Sequence, residues 1–345
     1  MTTTTVAQNP VPSFVRGIAN FFRSREAAIL LVFIVLVAVT TIINPNFLMS
    51  KDGWRDLLVT PSVLLVIAVG QAIVIISRNV DLSVGSVMGL SAYLIGTIFL
   101  AYPEMPVILG FVIGIAFGAG LGCVNGALVA LGRVPGMVIT LGTLYIFRGI
   151  NVMWTGSNRI NAADLPKGLL ALGTRQILTI PVLTIVAVVI LALVAWYMAN
   201  TRGGREFYAV GSDPVAAELY GLPSRRRVFM SFVMSGSMAG LAGVMFAARY
   251  GTITSQVGSG YELEAVGAAV IGGVAIVGGS GTVMGAAFGA LLLATISRAL
   301  PVIHIPDFWQ QAVVGALIVG AIVLDRVLAV RQSKRLISER FEGKH

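Results

Sequence analysis

The 345-residue chain has one cysteine, two histidines and 15 acidic residues, and charged side chains make up only 11% of it. Each shortage removes a class of protein. The lone cysteine, Cys123, lies in an apolar run, so neither a disulfide framework nor a cysteine-rich metal site is available. His304 and the terminal His345 are too far apart in sequence for zinc-ligand spacing. So few charges cannot clothe a soluble domain of this length, because too little polar surface would meet water. The glycine-rich stretch Gly272-Gly273 to Gly278-Gly279-Ser280-Gly281 lacks the GK[ST] end of a phosphate loop, so the chain is not expected to hydrolyse ATP or to hold a cofactor of its own. With no nucleophile elbow and no metal-ligand cluster, a membrane enzyme is a poor reading.

What remains is 57% hydrophobic, with 40 glycines and a mean hydropathy of +0.90. Apolar runs of roughly 20 residues, the length that crosses a bilayer core as a helix, alternate with short charged breaks. The pattern predicts an all-α polytopic membrane protein with about ten helices, some broken. Their approximate spans are 27–43, 58–77, 84–102, 107–131, 137–154, 180–199, 228–248, 262–278, 281–299 and 308–328, the glycine-rich 262–299 region reading alternatively as two short or broken helices. Residues 1–26 form a basic N-terminal segment, 27–328 the membrane domain, and 329–345 a basic tail. The first run has no small-x-small cleavage site and reads as a retained helix.

The formal net charge of +9 would suggest nucleic acid in a soluble protein. Here the basic residues flank apolar spans, where they set topology and meet lipid headgroups, so no nucleic-acid partner is expected. With the N-terminus inside, 16 of the 24 Lys and Arg residues fall on the inner side, which places both termini in the cytoplasm.

Thr201–Arg227 is the one long polar break, and it carries five basic residues. Ser212-Asp213 followed by Pro214 supplies N-cap and first-turn signals for a short amphipathic helix bracketed by Gly211 and Gly221. A membrane protein whose only structured loop is this short needs a soluble partner to supply energy.

Other breaks carry candidate chemistry. Ser77–Ser86 packs an Arg, an Asn, an Asp and three serines between two helices. Asn79, Asp81, Ser83 and Ser86 either line a pathway or gate, or make an ordinary turn in which Asp81 caps the following helix and Arg78 ends the preceding one. Asn125, Thr140 and Thr143 either line a path or bond across helices, and Arg148 either belongs to that path or snorkels to the outer interface. Glu262 and Glu264 open a helix, where they complement its dipole or present acceptors at the outer mouth; two residues apart, they do not share a face. Trp309-Gln310-Gln311 starts the last span as an interface anchor. A faint echo relates Ala72–Gly89 to Ala268–Gly285 at an offset of 196, the alternative being chance likeness between Gly/Val-rich helices.

Four segments carry a family resemblance: Asn79–Ser86 (NVDLSVGS), Thr140–Ile150 (TLGTLYIFRGI), Gly204–Leu222 (GREFYAVGSDPVAAELYGL) and Gly260–Gly285 (GYELEAVGAAVIGGVAIVGGSGTVMG). From about residue 60 to 328 the chain resembles the permease subunits of bacterial ATP-binding-cassette importers for monosaccharides. Asn79-Val80 departs from the Gly-Ile of many relatives, and Arg78-Asn79 before Val-Asp-Leu-Ser, like Trp154-Thr155-Gly156, looks most like the rhamnose and autoinducer-2 branches. The resemblance implies an inner-membrane subunit that forms the translocation path for a sugar such as rhamnose or ribose. It implies docking of a cassette ATPase on Ala209–Gly221, with Tyr208, Ala209, Val210, Gly211, Asp213, Ala216, Ala217, Glu218 and Gly221 at that contact. A second permease copy and an extracytoplasmic sugar-binding protein complete the assembly, and ATP and magnesium sit on the partner ATPase. The competing readings are an ion-coupled secondary sugar transporter using Asp81, Glu262 or Glu264, and a passive channel.

Overall fold

The structure is a computed structural model that describes residues 25–132 and 134–306, together with parts of 309–323. It is almost entirely helical. In chain order the helices are α1 (Arg25–Ile43), α2 (Asn46–Met49), α3 (Lys51–Ile76), α4 (Val84–Ala101), α5 (Val107–Gly132), α6 (Gly136–Thr155), α7 (Lys167–Thr174), α8 (Val182–Asn200), α9 (Arg202–Ser212), α10 (Pro214–Leu219), α11 (Ser224–Tyr250), α12 (Tyr261–Ile271) and α13 (Val283–Val302). A two-residue hairpin, β1 (Gln176–Ile177) and β2 (Ile180–Pro181), joins α7 to α8.

Among the described residues, eight helices are long and apolar enough to cross a membrane: α1, α3, α4, α5, α6, α8, α11 and α13. The expected span at 262–278 is not one of them. It is the 11-residue α12, which stops at Gly272, and the chain then runs through Gly273, Gly278, Gly279 and Gly281, all at positive φ. Backbone in that region cannot continue a right-handed helix, so the apolar character of residues 272–282 belongs to a turn. The expected span at 308–328 and the two terminal segments fall largely or wholly outside the described residues.

Helix α3 begins at Lys51, seven residues before the apolar run at 58. The Ser50 hydroxyl accepts from the Gly53 amide at 2.8 Å, and the polar first turns are neutralised by Arg55–Asp52 and Arg249–Asp56 ion pairs at 3.1 and 2.6 Å. This helix is the centre of the bundle: its apolar window is 89% buried, against 22% for α1 and for α5, whose outer faces are left for lipid.

What α5 buries is unusual. Five of its seven buried residues are Gly110, Gly114, Gly118, Gly122 and Gly126, one every four residues along a single face. A Cβ at Gly118 would overlap the carbonyl oxygen of Gly236 on α11, one at Gly236 would overlap that of Gly118, and one at Gly122 would overlap that of Phe232. The two helices therefore meet backbone to backbone. In lipid, where apolar side chains gain nothing by leaving the tails, this close van der Waals approach is what joins helices.

The glycine contacts predict an asymmetry. Gly118→Val should force α5 from α11 and cost about 1–3 kcal/mol through overpacking. Gly120→Val, at a position whose Cβ would meet nothing within 4 Å, should leave the detergent melting temperature unchanged. Equal melting of the two variants would contradict this packing.

Candidate functional site

Two interrupted segments meet inside the bundle. The first is the α3–α4 turn. Asp81 is 1% exposed, and its carboxylate accepts from the Ser83 amide (3.0 Å), the Ser83 hydroxyl (2.7 Å) and the Ser235 hydroxyl on α11 (2.9 Å). Asn125 of α5 donates to the Ser83 hydroxyl at 2.7 Å, and Thr140 of α6 donates to the Val80 carbonyl at 3.0 Å. With its amide oriented to satisfy both groups, Gln71 pairs with the Asp81 backbone N–H and C=O. Ser77 and Ser231 bond at 3.1 Å. Ser235 lies eleven residues into α11, a rise of roughly 16 Å, so the Asp81 knot sits at membrane depth and ties four spans together.

The second segment, Gly251–Gly260, runs along α4. Ile253 pairs with Ile160, and both side chains face Gly96; further along, Val257 lies against Gly89 and Gly258 against Gly85. Helix α12 then starts at Tyr261, with Glu262 and Glu264 in its first turn. Glu262 accepts from the Gly260 amide at 3.2 Å, and its second oxygen lies against Gly85, in the first turn of α4. The carboxylate therefore faces two helix N-termini, an arrangement both dipoles favour. It sits deep beside α4 rather than at an outer mouth, because the preceding ten residues re-enter the bundle.

Arg148 turns into the bundle. Its guanidinium does not snorkel outward; it donates to the carbonyls of Ser255 and Val257 at 3.3 and 2.7 Å, satisfying backbone that has no helix or sheet of its own. Asn151 adds a bond to Ser255 at 3.2 Å. Ser86 donates to the Leu144 carbonyl and Thr143 to that of Thr140. Most of the polar residues expected along a path thus spend hydrogen bonds within the chain, while Asn125 Oδ1 and one carboxylate oxygen of Glu262 are buried without a hydrogen-bond partner. Among them Asn79 lines an open cavity at the end where Arg78 lies.

The polar loop Thr201–Arg227 folds as two helices. In α9, Phe207, Val210 and Gly211 are buried, and Gly211 presses on the Ile76 carbonyl at the end of α3. Tyr208 donates to the Gly281 carbonyl at 3.2 Å. Glu206, also buried, takes Arg227 at 2.6 Å and Arg202 at 3.0 Å, and the Arg227 bond above all holds its carboxyl below the usual carboxylate range. Val210 and Gly211 therefore face the chain's own core. Helix α10 is the outward part: Asp213 caps the amides of Val215 and Ala216 at 3.0 Å each, Pro214 fills the first turn and Ala217 is buried. Ala209 and Glu218 are exposed, as is Gly221, whose φ of 75° ends the helix.

The turns after α3 and α12 close alike. Ser77, Arg78 and Asn79 donate to the carbonyls of Ile73, Ile75 and Val74; Gly272, Gly273 and Val274 donate to those of Ala268, Val270 and Ala269. The left-handed position is Arg78 (φ 65°) in one and Gly273 (φ 89°) in the other. The equivalence runs at an offset of 195, one less than the sequence echo, and the next helices begin at Val84 and Val283, so the echo's glycine blocks do not coincide.

Asp81→Ala should leave the Ser83 and Ser235 donors unpaired at about 1–3 kcal/mol each. A lowered melting temperature in detergent is expected, with Asp81→Asn intermediate; an unchanged Asp81→Ala protein would show that the knot is dispensable.

The family model for branched-chain amino acid transport system / permease component matches residues 54–322. The chain is 34% identical to the autoinducer 2 import system permease protein LsrC of Enterobacter sp. (strain 638), across 94% of this chain and 96% of the relative. The protein of that name from Salmonella typhimurium is 35% identical, across 92% and 90%, and that of Escherichia coli (strain K12 / DH10B) 33%, across 92% of each. No solved structure matches. Eight apolar spans, interrupted helices meeting at membrane depth and a capped polar helix outside the bundle accompany this match, and the chain belongs to the branched-chain amino acid transport system permease family, as a multi-pass inner-membrane transport subunit.

Proposed function

We propose that the chain forms the translocation path of an ATP-driven importer for a small sugar of the furanose or deoxyhexose kind, with a cassette ATPase docked on α10. The cargo in the relatives' name, autoinducer 2, and the NVDLSVGS and GYELEAVGAAVIGG segments support a sugar-like cargo over the amino acid in the family's description. The basic bias of the α10 end supports a cytoplasmic position for it and for both termini. A second permease copy, an extracytoplasmic binding protein, and ATP with magnesium on the ATPase belong to the same reading.

The observation that carries it is the face of α10. Val215, Leu219 and Tyr220 are 70, 84 and 87% exposed on a polar segment outside the spans. An apolar triplet held rigid by a cap, with no lipid to cover it, fits a protein partner. Behind it, α9 abuts the end of α3, and the Gly279 amide donates to the Ile76 carbonyl at 2.9 Å. A push on α10 therefore reaches both C-terminal turns, and through the α3–α4 turn the Asp81 knot. The alternating motion of the path is driven along this line.

Leu219→Asp and Tyr220→Asp should abolish ATP-dependent uptake in cells or proteoliposomes while expression and melting temperature stay at wild-type values. Normal uptake by both variants would sink the docking assignment.

A further inference from the structure

We propose that the cavity between α10 and the α3–α4 turn binds a phosphorylated monosaccharide. The cavity holds about 530 Å³ and is lined by Arg78, Asn79, Glu218, Ser224, Arg225 and Val228, among others. That volume lies within the ordinary range for small-molecule sites, roughly 300–1,000 Å³.

Three independent features point to an anion. Helix α11, 27 residues long, opens at this cavity with Pro223 at its N-cap, and no side chain caps its first amides. Orphan amides at the positive end of a long helix are suited to phosphate. Its first residue, Ser224, is 7% exposed, and its hydroxyl is buried without a hydrogen-bond partner. Such a group is costly to leave unsatisfied. The third feature is Arg78. It stands in the left-handed position that the equivalent turn gives to Gly273, where an L side chain costs roughly 1–2 kcal/mol. Backbone strain kept at a pocket wall marks a side chain retained for what it contacts. Neither Arg78 nor Arg225, both at the cavity wall, has an ion-pair partner among the described residues.

Two guanidiniums and a helix N-terminus suit a phosphate dianion. Asn79 and Glu218 would then serve the hydroxyls of an attached sugar, since a carboxylate in the wall disfavours a bare anion and accepts from hydroxyl groups. Val228 gives the ring an apolar surface. A ligand here would bridge the docking helix and the gate-side turn and hold them in one relative position. Occupancy thus opposes the transmission just described, and that consequence, unlike the binding, rests on the importer reading.

Binding is measured on the full chain in lipid nanodiscs with ribose 5-phosphate, ribose and inorganic phosphate as probes. Ribose 5-phosphate should bind, ribose should not, and inorganic phosphate should bind more weakly. Arg225→Gln and Arg78→Gly should each weaken ribose 5-phosphate by about tenfold or more, the loss of a charge-assisted bond. Arg78→Gly relieves the strained backbone, so its melting temperature should hold or rise and misfolding is excluded as the cause. No binding, unchanged affinity in both variants, or equal affinity for ribose would overturn the site; equal affinity for inorganic phosphate would overturn its sugar specificity. In proteoliposomes with the ATPase, ribose 5-phosphate inside should slow uptake by the wild type and not by Arg78→Gly. Wild-type uptake that ignores it, with binding intact, would remove the inhibition and leave the site.

Discussion

The backbone contact between α5 and α11 is the constraint on which the other features depend. Helices in lipid gain little by hiding apolar side chains from one another, so their association rests on how closely their backbones approach. Glycines at every fourth position of α5 from Gly114 to Gly126 allow that approach along about three turns, with Gly236 and Gly240 answering on α11. Because α11 is held there, its Ser231 and Ser235 reach the α3–α4 turn, its first turn stands beside α10, and Arg249 near its end meets Asp56. One helix thereby registers the polar knot, the outward loop and the opposite rim of the bundle.

Within that frame, irregular backbone at membrane depth is tolerated because side chains answer it. Arg148 and Asn151 serve the carbonyls of the re-entrant segment, and Gln71 and Thr140 serve those of the α3–α4 turn. Unsatisfied groups of this kind would each cost kilocalories in hydrocarbon, which is why broken helices in membranes are lined with such partners. The rigid partners also make the breaks able to transmit displacement. A helix end fixed by Gly211 on one side and Gly279 on the other moves with both or with neither.

Much of the architecture was legible because bilayer thickness writes itself into apolar run length. The unbroken span at 262–278 follows from the same rule, and the broken-helix alternative is what forms: Val274, Ala275, Ile276 and Val277 are apolar, but they sit between glycines at positive φ and form a turn. The start of α3 was hidden because its first turns carry charges that pair with one another and with Arg249, far off in sequence. The Asp213 cap was readable locally, since an Asx cap uses only the next three residues. That Val210 and Gly211 turn inward was not, because it depends on the end of α3. The partners of the α3–α4 turn leave a faint trace, Ser231 for Ser77 and Ser235 for Asp81, about one helical turn apart in an apolar span. The four-residue glycine period of α5 is the clearest trace in the sequence of its contact with α11.

The central claim is that this chain is the membrane half of a machine whose motor is another polypeptide. Its most direct test is purification of the tagged full-length chain from its native membranes in mild detergent, followed by identification and stoichiometry of the co-purifying proteins. The account predicts a cassette ATPase in equal number to the permease chains. A clean oligomer of permease alone, reproduced after crosslinking in intact membranes, would contradict it.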